Sequence, residues 1–197
     1  MQLDFCADIN LENERALLRP LAKSDLHLLL PFSQQETDLW KFSLQGAAGE
    51  ANLALYIEQA LEGRTQQREY PFIIFDKQSG RYAGCTRFYD IQLPYDTLQL
   101  GYTWYGKDFQ GTGLNKNCKF LLLDFAFSKL QAKRVEFRAD NDNKRSIAAM
   151  MSIGCKVDGI LRSNMPKPAG GRRDSIVLSI LCEEWFDHVK DELRRKL

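Results

Sequence analysis

Short segments rich in alternating or β-branched and aromatic residues recur along the chain, and each one predicts a β-strand. A turn over 76–80 joins two of these segments into a hairpin, since it places Ser and Gly between two hydrophobic runs. The predicted strands cover residues 15–21, 70–75, 82–91, 98–105, 134–138, 156–162 and 174–182.

Other segments repeat their hydrophobic residues every three or four positions, which predicts amphipathic helices between the strands. Stop signals accompany them: Pro31 is expected to close the first helix, Gly63 to stop the second and Gly154 to cap the fourth. The predicted helices run from Leu26 to Pro31 and over 50–61, 114–130, 143–152 and 183–195.

Neither a linker nor an internal repeat interrupts this series of elements. A length of 197 residues suits one domain. We therefore predict a single α+β domain over residues 1–197, with a mixed, mostly antiparallel central sheet flanked by helices.

Composition and charge narrow the function classes. The chain is 44% hydrophobic and 27% charged, with a net charge of +1, which removes the general electrostatic case for a nucleic-acid or polybasic membrane binder. No apolar run approaches a membrane span, and the N-terminus carries acids where a signal peptide carries bases. We expect a cytoplasmic protein without nucleic-acid or membrane partners.

The cysteines and histidines offer little for metal or nucleophilic chemistry. Five cysteines lie far apart without a C-x-x-C pair, and there are only two histidines. We therefore predict reduced thiols, no metal site and no histidine-based triad. Cys155 is interpreted as a packing residue.

A strand–glycine–helix junction is the most informative segment. Gly111 and Gly113 stand between a predicted strand and the predicted helix 114–130. Glycines allow close backbone approach, and the helix start offers unpaired N–H groups to an anion such as a pyrophosphate. Lys116 occupies the third glycine position of a dinucleotide fingerprint, and no P-loop lysine follows. The alternative is a tight turn that only joins strand to helix.

Two motifs in this order resemble those of the GNAT N-acetyltransferase superfamily. Gln110-Gly-Thr-Gly-Leu-Asn115 resembles its pyrophosphate motif Gln/Arg-x-x-Gly-x-Gly/Ala, and Asn143-Lys-Arg-Ser146 followed by Gly154 resembles its Asn-x-x-Ser…Gly-Phe segment. The predicted element order is also the family's order. The resemblance covers nearly the whole chain and is greatest for the branch that contains the ribosomal-protein N-terminal acetyltransferases.

The resemblance implies acetyl-CoA as co-substrate. The backbone of Tyr102, Thr103 and Trp104 would pair with the pantetheine arm, and Tyr102, Thr103 and Ser146 are the candidate catalytic residues. The expected cofactor-binding set is Tyr102, Thr103, Trp104, Gln110, Gly111, Thr112, Gly113, Leu114, Asn115, Lys116, Asn143 and Ser146.

The sequence departs from the family pattern at both usual proton-transfer positions. Gln99 stands where relatives often carry a glutamate base, and Met150 stands where many carry a tyrosine acid. We therefore expect an acceptor amine that is already partly neutral, such as a peptide α-amine, unless Glu136, Asp90 or a water chain acts as base.

Other residues are candidates for the acceptor side. Four aromatic residues lie in segments with which the family walls its acceptor cleft, although they are equally consistent with core packing: Trp40, Phe42, Tyr89 and Tyr95. Lys167, Arg172 and Arg173 form a basic cluster in a predicted loop; it is expected to be solvated, with attraction of an acidic acceptor or of the cofactor's 3′-phosphate as the alternative.

By this resemblance the chain transfers acetyl from acetyl-CoA to a primary amine by direct attack, as a monomer or homodimer. A non-catalytic acyl-CoA-binding module on the same fold is the main alternative. A nucleotide-binding protein, which would take ATP or NAD, is a third.

Overall fold

Eight strands form one open sheet in the computed structural model, which describes residues 1–167 and 170–197. The strand order is β1-β2-β3-β4-β5-β6-β8-β7, and only the β5–β6 pair is parallel. The strands are β1 (Leu11–Glu12), β2 (Ala16–Pro20), β3 (Tyr70–Asp76), β4 (Arg81–Gln92), β5 (Thr97–Tyr105), β6 (Arg134–Asp140), β7 (Lys156–Pro166) and β8 (Arg172–Leu181). This confirms the predicted α+β class with a mixed, mostly antiparallel sheet.

Five helices pack on the sheet. The third continues from α-helix into a π-helical turn, and the fifth contains a π-helical turn between two α-helical segments. They are α1 (Leu26–Gln35), α2 (Glu50–Thr65), α3 (Leu114–Asp124, continued by Phe125–Lys129), α4 (Lys144–Ser152) and α5 (Cys182–Glu184, Trp185–Val189 and Lys190–Arg194).

Two predicted helix stops are wrong. Pro31 lies inside α1, because the buried side chains of Leu29 and Phe32 hold the helix against the core on both sides of the proline. Gly63 lies inside α2, where a Cβ would come within 2.8 Å of the Glu69 side chain. That glycine therefore serves close packing rather than termination.

The last two strands are longer than predicted. Met165 pairs with Arg173 and Pro166 with Arg172, so both ends of the predicted 165–173 loop belong to the β7–β8 hairpin. Lys167 follows directly after β7. The alternation of hydrophobic and polar residues is weak in β7, because most side chains of this strand are exposed.

α2 and α3 lie on opposite faces of the sheet. The guanidinium of Arg87 on β4 lies over the ring of Tyr56 in α2. The next residue, Phe88, stacks on Phe125 at the end of α3. Because neighbouring strand residues point to opposite faces, these two contacts place the helices on different sides of the sheet.

Candidate active site

β5 and β6 pair over only three positions and then diverge, which leaves an opening in the sheet. Thr97 to Gln99 pair with Arg134 to Glu136, and the pairing ends there. Beyond Gln99, the β6-facing edge of β5 has no strand partner within the described residues. An edge of this kind offers backbone N–H and C=O groups to an extended ligand.

A β-bulge marks β5 just beyond this divergence. Cys85 pairs with Trp104 and Arg87 with Gly101, so two residues of β5, Tyr102 and Thr103, lie opposite one residue of β4. Tyr102 has a φ of +49°, which is unusual for a residue with a side chain. The bulge therefore redirects the backbone groups at this point of the strand.

Contacts on the α2 side hold Tyr102 in this conformation. Its carbonyl accepts a hydrogen bond from Tyr56 Oη at 3.2 Å. Its ring lies 3.9 Å from the Arg87 guanidinium and packs edge-on against Tyr89. Arg87 is itself fixed by an ion pair with Glu69 at 2.6 Å. Burial raises the pKa of the Tyr102 hydroxyl, which therefore stays neutral at physiological pH.

Thr103 points to the other face and contacts a lysine that the sequence analysis did not select. Lys119 Nζ donates to Thr103 Oγ1 at 2.8 Å, and Thr103 Oγ1 lies 2.8 Å from Thr86 Oγ1. Lys119 is only 5% exposed, and desolvation lowers its pKa to about 8. The sequence does carry a signal for the burial of Lys119, which is its helical spacing. Lys119 lies three residues before Leu122, on the buried face of α3.

The glycine loop before α3 forms an open cradle. Gly111 and Gly113 have φ values of +78° and +88°, and a Cβ on either would meet no atom within 4 Å. The backbone N–H groups of Gly111, Gly113 and Asn115 make no hydrogen bond within the described part of the chain. Unpaired N–H groups at the start of a helix of this length, with free space above them, fit a pyrophosphate.

Side chains around the loop fix its shape. Gln110 Nε2 donates to the Tyr105 carbonyl at 2.7 Å, and Thr112 Oγ1 donates to the Phe109 carbonyl at 2.9 Å. Arg15, which the sequence analysis did not select, reaches Thr112 Oγ1 at 3.3 Å. Arg15 lies just before β2 and is paired with Asp76 at 2.8 Å, and its guanidinium reaches the same loop. This long-range contact has no local sequence signal.

The remaining predicted residues lie at helix starts or in the core. Leu114 is fully buried at the beginning of α3, and Lys116 lies in its first turn. Asn143 caps α4, since its side-chain oxygen accepts the Ser146 N–H at 3.1 Å. The indole of Trp104 packs on α1, so only its backbone faces the opening between the strands.

The candidate bases near the opening are already engaged. Gln99 Nε2 donates to Asp90 Oδ2 at 2.6 Å. The carboxylate of Glu136 lies between two guanidinium groups, at 3.0 Å from Arg134 and 2.7 Å from Arg138. Gln92 Nε2 donates to the other Asp90 oxygen, Oδ1, at 2.8 Å, so every oxygen of the two carboxylates already accepts a hydrogen bond.

Met150 and Cys155 are core residues, as predicted. Met150 stands at the family's tyrosine-acid position, and Cys155 stands at its phenylalanine position. Met150 is buried at the end of α4. Cys155 is also buried, and desolvation raises the pKa of its thiol to about 12. A thiol with that pKa stays protonated at neutral pH and is a poor nucleophile.

The structure divides the predicted acceptor aromatics. Trp40 is buried against Trp104 at a ring distance of 5.5 Å, so it belongs to the core, and Tyr95 is 74% exposed on a short turn. Phe42 lines a cavity of about 200 Å³ between the α1–α2 connection and the β7–β8 hairpin. Tyr89 packs against Tyr102 beside the bulge.

Arg173 is not solvated, which corrects the expectation for the basic cluster. It lies on β8, is 7% exposed and lines the same cavity as Phe42, Lys41 and Lys167. Its Nε donates to Ser175 Oγ at 3.0 Å, and no carboxylate of the described chain forms an ion pair with it. Burial lowers its pKa. The cluster is split, because Arg172 next to it is exposed.

Metal-ligand clusters and membrane-spanning helices are absent from the described residues. Residues 1–167 and 170–197 contain no group of three or more His, Cys, Asp or Glu that could hold a metal ion. Within the same ranges, no helix is both long and apolar enough to cross a bilayer.

Comparisons with known proteins identify relatives over most of the chain. The family model for the acetyltransferase (GNAT) domain matches residues 15–156. The Bacillus subtilis (strain 168) protein named Probable N-acetyltransferase YjcK is 27% identical over 179 residues, which cover 87% of this chain and 96% of that protein.

Solved structures share the fold. A protein from T. thermophilus assigned as an acetyltransferase is 32% identical, with a TM-score of 0.84 over 95% of this chain and 96% of that one. The ribosomal-protein-S5-alanine acetyltransferase from Vibrio fischeri is 18% identical, with a TM-score of 0.73 over 90% and 99% of the two chains. The second likeness concerns the fold alone.

Proposed function

The chain belongs to the GNAT acetyltransferase family and is therefore an acyltransferase, and we propose that it transfers acetyl from acetyl-CoA to a primary amine. One observation carries this proposal. The unpaired, bulged edge of β5 leads to the open glycine cradle at the start of α3, which together suit a long amide-bearing chain that ends in phosphates.

The cradle would hold the pyrophosphate of acetyl-CoA. Its N–H groups at Gly111, Gly113 and Asn115 are unpaired within the described chain, and the helix start adds a positive dipole end. Lys116 in the first turn adds a positive charge, and Arg15, which is paired with Asp76 at 2.8 Å, adds a guanidinium beside Thr112. The edge of β5 from Tyr102 to Trp104 would bond the amides of the pantetheine arm.

The reaction would be a direct attack. Acetyl-CoA supplies an activated acyl thioester when bound. The chain's part is to place the thioester carbonyl against the bulged backbone at Tyr102 and Thr103, whose N–H groups can polarise it, and to hold the amine in line with it. Ser146 remains a candidate for contact near the reactive end, at the start of α4.

The acceptor would be an amine with a low pKa, such as a peptide α-amine. Asp90 and Glu136 are both held in close hydrogen bonds or ion pairs, and Gln99 cannot act as a base. An acceptor that is partly neutral in solution needs no base from the enzyme.

The acceptor would also carry a negative charge. The cavity beside Phe42 is lined by three basic side chains, Arg173, Lys41 and Lys167, and by one buried carboxylate, Asp140. Lys167 is paired with Asp142 at 2.8 Å and lies 3.6 Å from Asp140, whereas Arg173 forms no ion pair within the described chain. An acidic group on the acceptor would supply an ion-pair partner.

A panel assay tests the proposed function. Release of free CoA is measured with acetyl-CoA and a set of small amines, α-amine peptides and lysine peptides, and the products are identified by mass spectrometry. Acetylated amine supports the proposal. Tight acetyl-CoA binding without turnover of any amine would favour the non-catalytic module, and binding of ATP or NAD instead would favour the nucleotide-binding alternative.

A further inference from the structure

We propose that Lys119 is the acid of the reaction: its ammonium gives a proton to the CoA sulfur as the thioester breaks. This inference rests on the proposed acetyl transfer. It assigns a task to a buried cation whose hydrogen bond within the described chain is to Thr103 of the bulge.

The position of the ammonium is the first support. Nζ of Lys119 lies 2.8 Å from Thr103 Oγ1 on β5 and 5.7 Å from the centre of the Phe137 ring on β6. Thr103 belongs to the bulge, and Phe137 is the first residue of β6 after its pairing with β5 ends. The ammonium therefore lies across the opening between the two strands, where the thioester end of acetyl-CoA would be placed.

The lack of a counter-charge is the second support. An ammonium has three donors, and Thr103 is the only hydrogen-bond acceptor that Lys119 meets in the described chain. No carboxylate forms an ion pair with it, and every Asp and Glu of the sequence lies in the described ranges. A buried charge without a partner is costly, and an anion that develops in the opening would offset that cost.

The titratable neighbours of Lys119 are neutral thiols. Cys118 lies on its own helix and Cys155 follows α4, and burial raises the pKa of both thiols to about 12. The hydrogen bond of Lys119 to β5 is with the Thr103 hydroxyl, and its cation–π contact with β6 is with the Phe137 ring. The surroundings therefore favour loss of the proton, which agrees with the lowered pKa of about 8 for Lys119.

Other acids do not face the opening. Met150 carries no proton to give, and the Tyr102 ring lies on the α2 side against Arg87. Tyr56 uses its hydroxyl to donate to the Tyr102 carbonyl. Of these groups, only Lys119 places an acidic proton against both β5 and β6.

The step balances in atoms and electrons. The lone pair of the neutral amine forms the new C–N bond, and the electron pair of the C–S bond moves to sulfur. Lys119 gives its proton to that sulfur and becomes a neutral amine. The acetylated nitrogen releases a proton to water, and Lys119 takes one back from water. A pKa of about 8 is close to that of an ordinary thiol, near 8.5, so the transfer is nearly balanced.

The first test is kcat as a function of pH for Lys119→Met, which removes the proton and keeps the length of the side chain. We expect kcat to fall about 10²-fold or more while KM for acetyl-CoA changes little. The wild-type kcat should decline as pH rises above about 8, since Lys119 loses its proton there. That decline should be absent from Lys119→Met.

Two further variants separate proton donation from other roles. Lys119→Arg keeps the charge but does not release its proton, so its kcat should stay as low as that of Lys119→Met. Recovery of the wild-type kcat by arginine would overturn the proposal. Lys129→Met makes the same change on an exposed lysine of the same helix and should keep the wild-type kcat.

The second test does not depend on turnover. The ionisation of the thiol of bound CoA is followed by thiolate absorbance in the far ultraviolet, with wild type and Lys119→Met. An ammonium beside sulfur stabilises the thiolate, so the thiol pKa should be lower in wild type by about one unit or more. Equal values in the two proteins would overturn the proposal. A chain that acetylates no amine would refute the proposed function, but this titration would still show whether Lys119 contacts the sulfur.

Discussion

Gln99 and Glu136 are register partners at the last position where β5 and β6 pair. The Gln99 amide is bonded to Asp90, and the Glu136 carboxylate is bonded to Arg134 and Arg138. The point where the strands separate is therefore bordered by groups that already have hydrogen-bond or ion-pair partners. We therefore expect an amine that enters the opening to arrive there without its proton.

The first prediction concerns the acceptor amine. An α-amine has a pKa near 7.7–8.0 and a lysine ε-amine near 10.4, a difference of roughly 3.5 kcal/mol in the cost of deprotonation. Peptides that offer only an α-amine should therefore have the higher kcat/KM at pH 7, and the advantage should shrink towards pH 9.5. The measurement is kcat/KM for matched α-amine and ε-amine peptides across that range.

Glu136→Gln checks the reason for this preference. The variant removes the one carboxylate at the end of the paired segment, and Arg134 keeps its partner Asp158 at 2.7 Å. We expect kcat/KM to stay within a few-fold of wild type. A loss of two orders of magnitude, or an ε-amine preference at pH 7, would show that Glu136 or another group acts as base.

The second prediction concerns the phosphate cradle. Gly113→Val should abolish acetyl-CoA binding, because the new side chain would occupy the open space above the loop. Binding is measured as the rise in melting temperature that acetyl-CoA produces in the wild-type protein.

Gly80→Val is the matched control for this experiment. Gly80 also has a positive φ, +67°, and open space around its Cβ position, but it lies in the β3–β4 turn. Both variants place a side chain on a left-handed backbone, so both should lose stability. Only the Gly113 variant should lose the response to acetyl-CoA; wild-type affinity in that variant would refute the cradle.

The third prediction concerns Arg173. Arg173→Gln should raise KM for an acidic acceptor about tenfold or more and leave KM for acetyl-CoA unchanged, because a buried guanidinium paired with an anion is a strong contact. The comparison is made with acidic and neutral acceptors that share the same amine. Arg172→Gln, at the exposed neighbouring position, should behave as wild type. An equal KM change for both acceptors would exclude a role in charge recognition.

The sequence predicted the order of strands and helices well, because periodicity and turn residues are local signals. It misjudged Pro31 and Gly63, where packing overrode the local preference for a helix end. It also shortened the β7–β8 hairpin, because the mostly exposed β7 lacks a clear alternation of hydrophobic and polar residues. Local rules fail at these positions because contacts distant in sequence decide them.

In the candidate site too, local features are visible in the sequence and long-range contacts are not. The glycine loop is visible in the sequence because glycine, a strand and a helix start follow one another. The bulge at Tyr102 is not, since it depends on the register between β4 and β5. The contact of Arg15 with Thr112 spans 97 residues, and the bond of Lys119 to Thr103 joins a helix to a strand. Such long-range pairs leave little trace in one sequence.

The fourth prediction concerns Cys155. Burial raises the pKa of its thiol to about 12, so almost no thiolate is present at neutral pH. Cys155→Ala should therefore keep turnover within a few-fold of wild type, with some loss of stability from the vacated volume. Intact mass under turnover should show no acetyl-cysteine; a covalent acetyl adduct on this residue would contradict direct transfer.

The last prediction concerns the pH dependence of stability that Lys119 produces. Its pKa is lowered from 10.5 to about 8 in the folded chain, so the unfolded chain binds more protons between those values. Stability from this group therefore rises as pH increases through that range. Lys119→Met removes the effect, so the variant should be more stable than wild type at pH 7, and its advantage should shrink by about 2–3 kcal/mol by pH 10. Urea unfolding of both proteins at a series of pH values measures the difference in their free energies of unfolding. The other titrating groups contribute equally to both proteins, so their contributions cancel in this difference. An advantage that stays constant with pH would mean that Lys119 titrates at its ordinary value in the folded protein, and that the ammonium is less deeply desolvated than its burial between β5 and β6 implies.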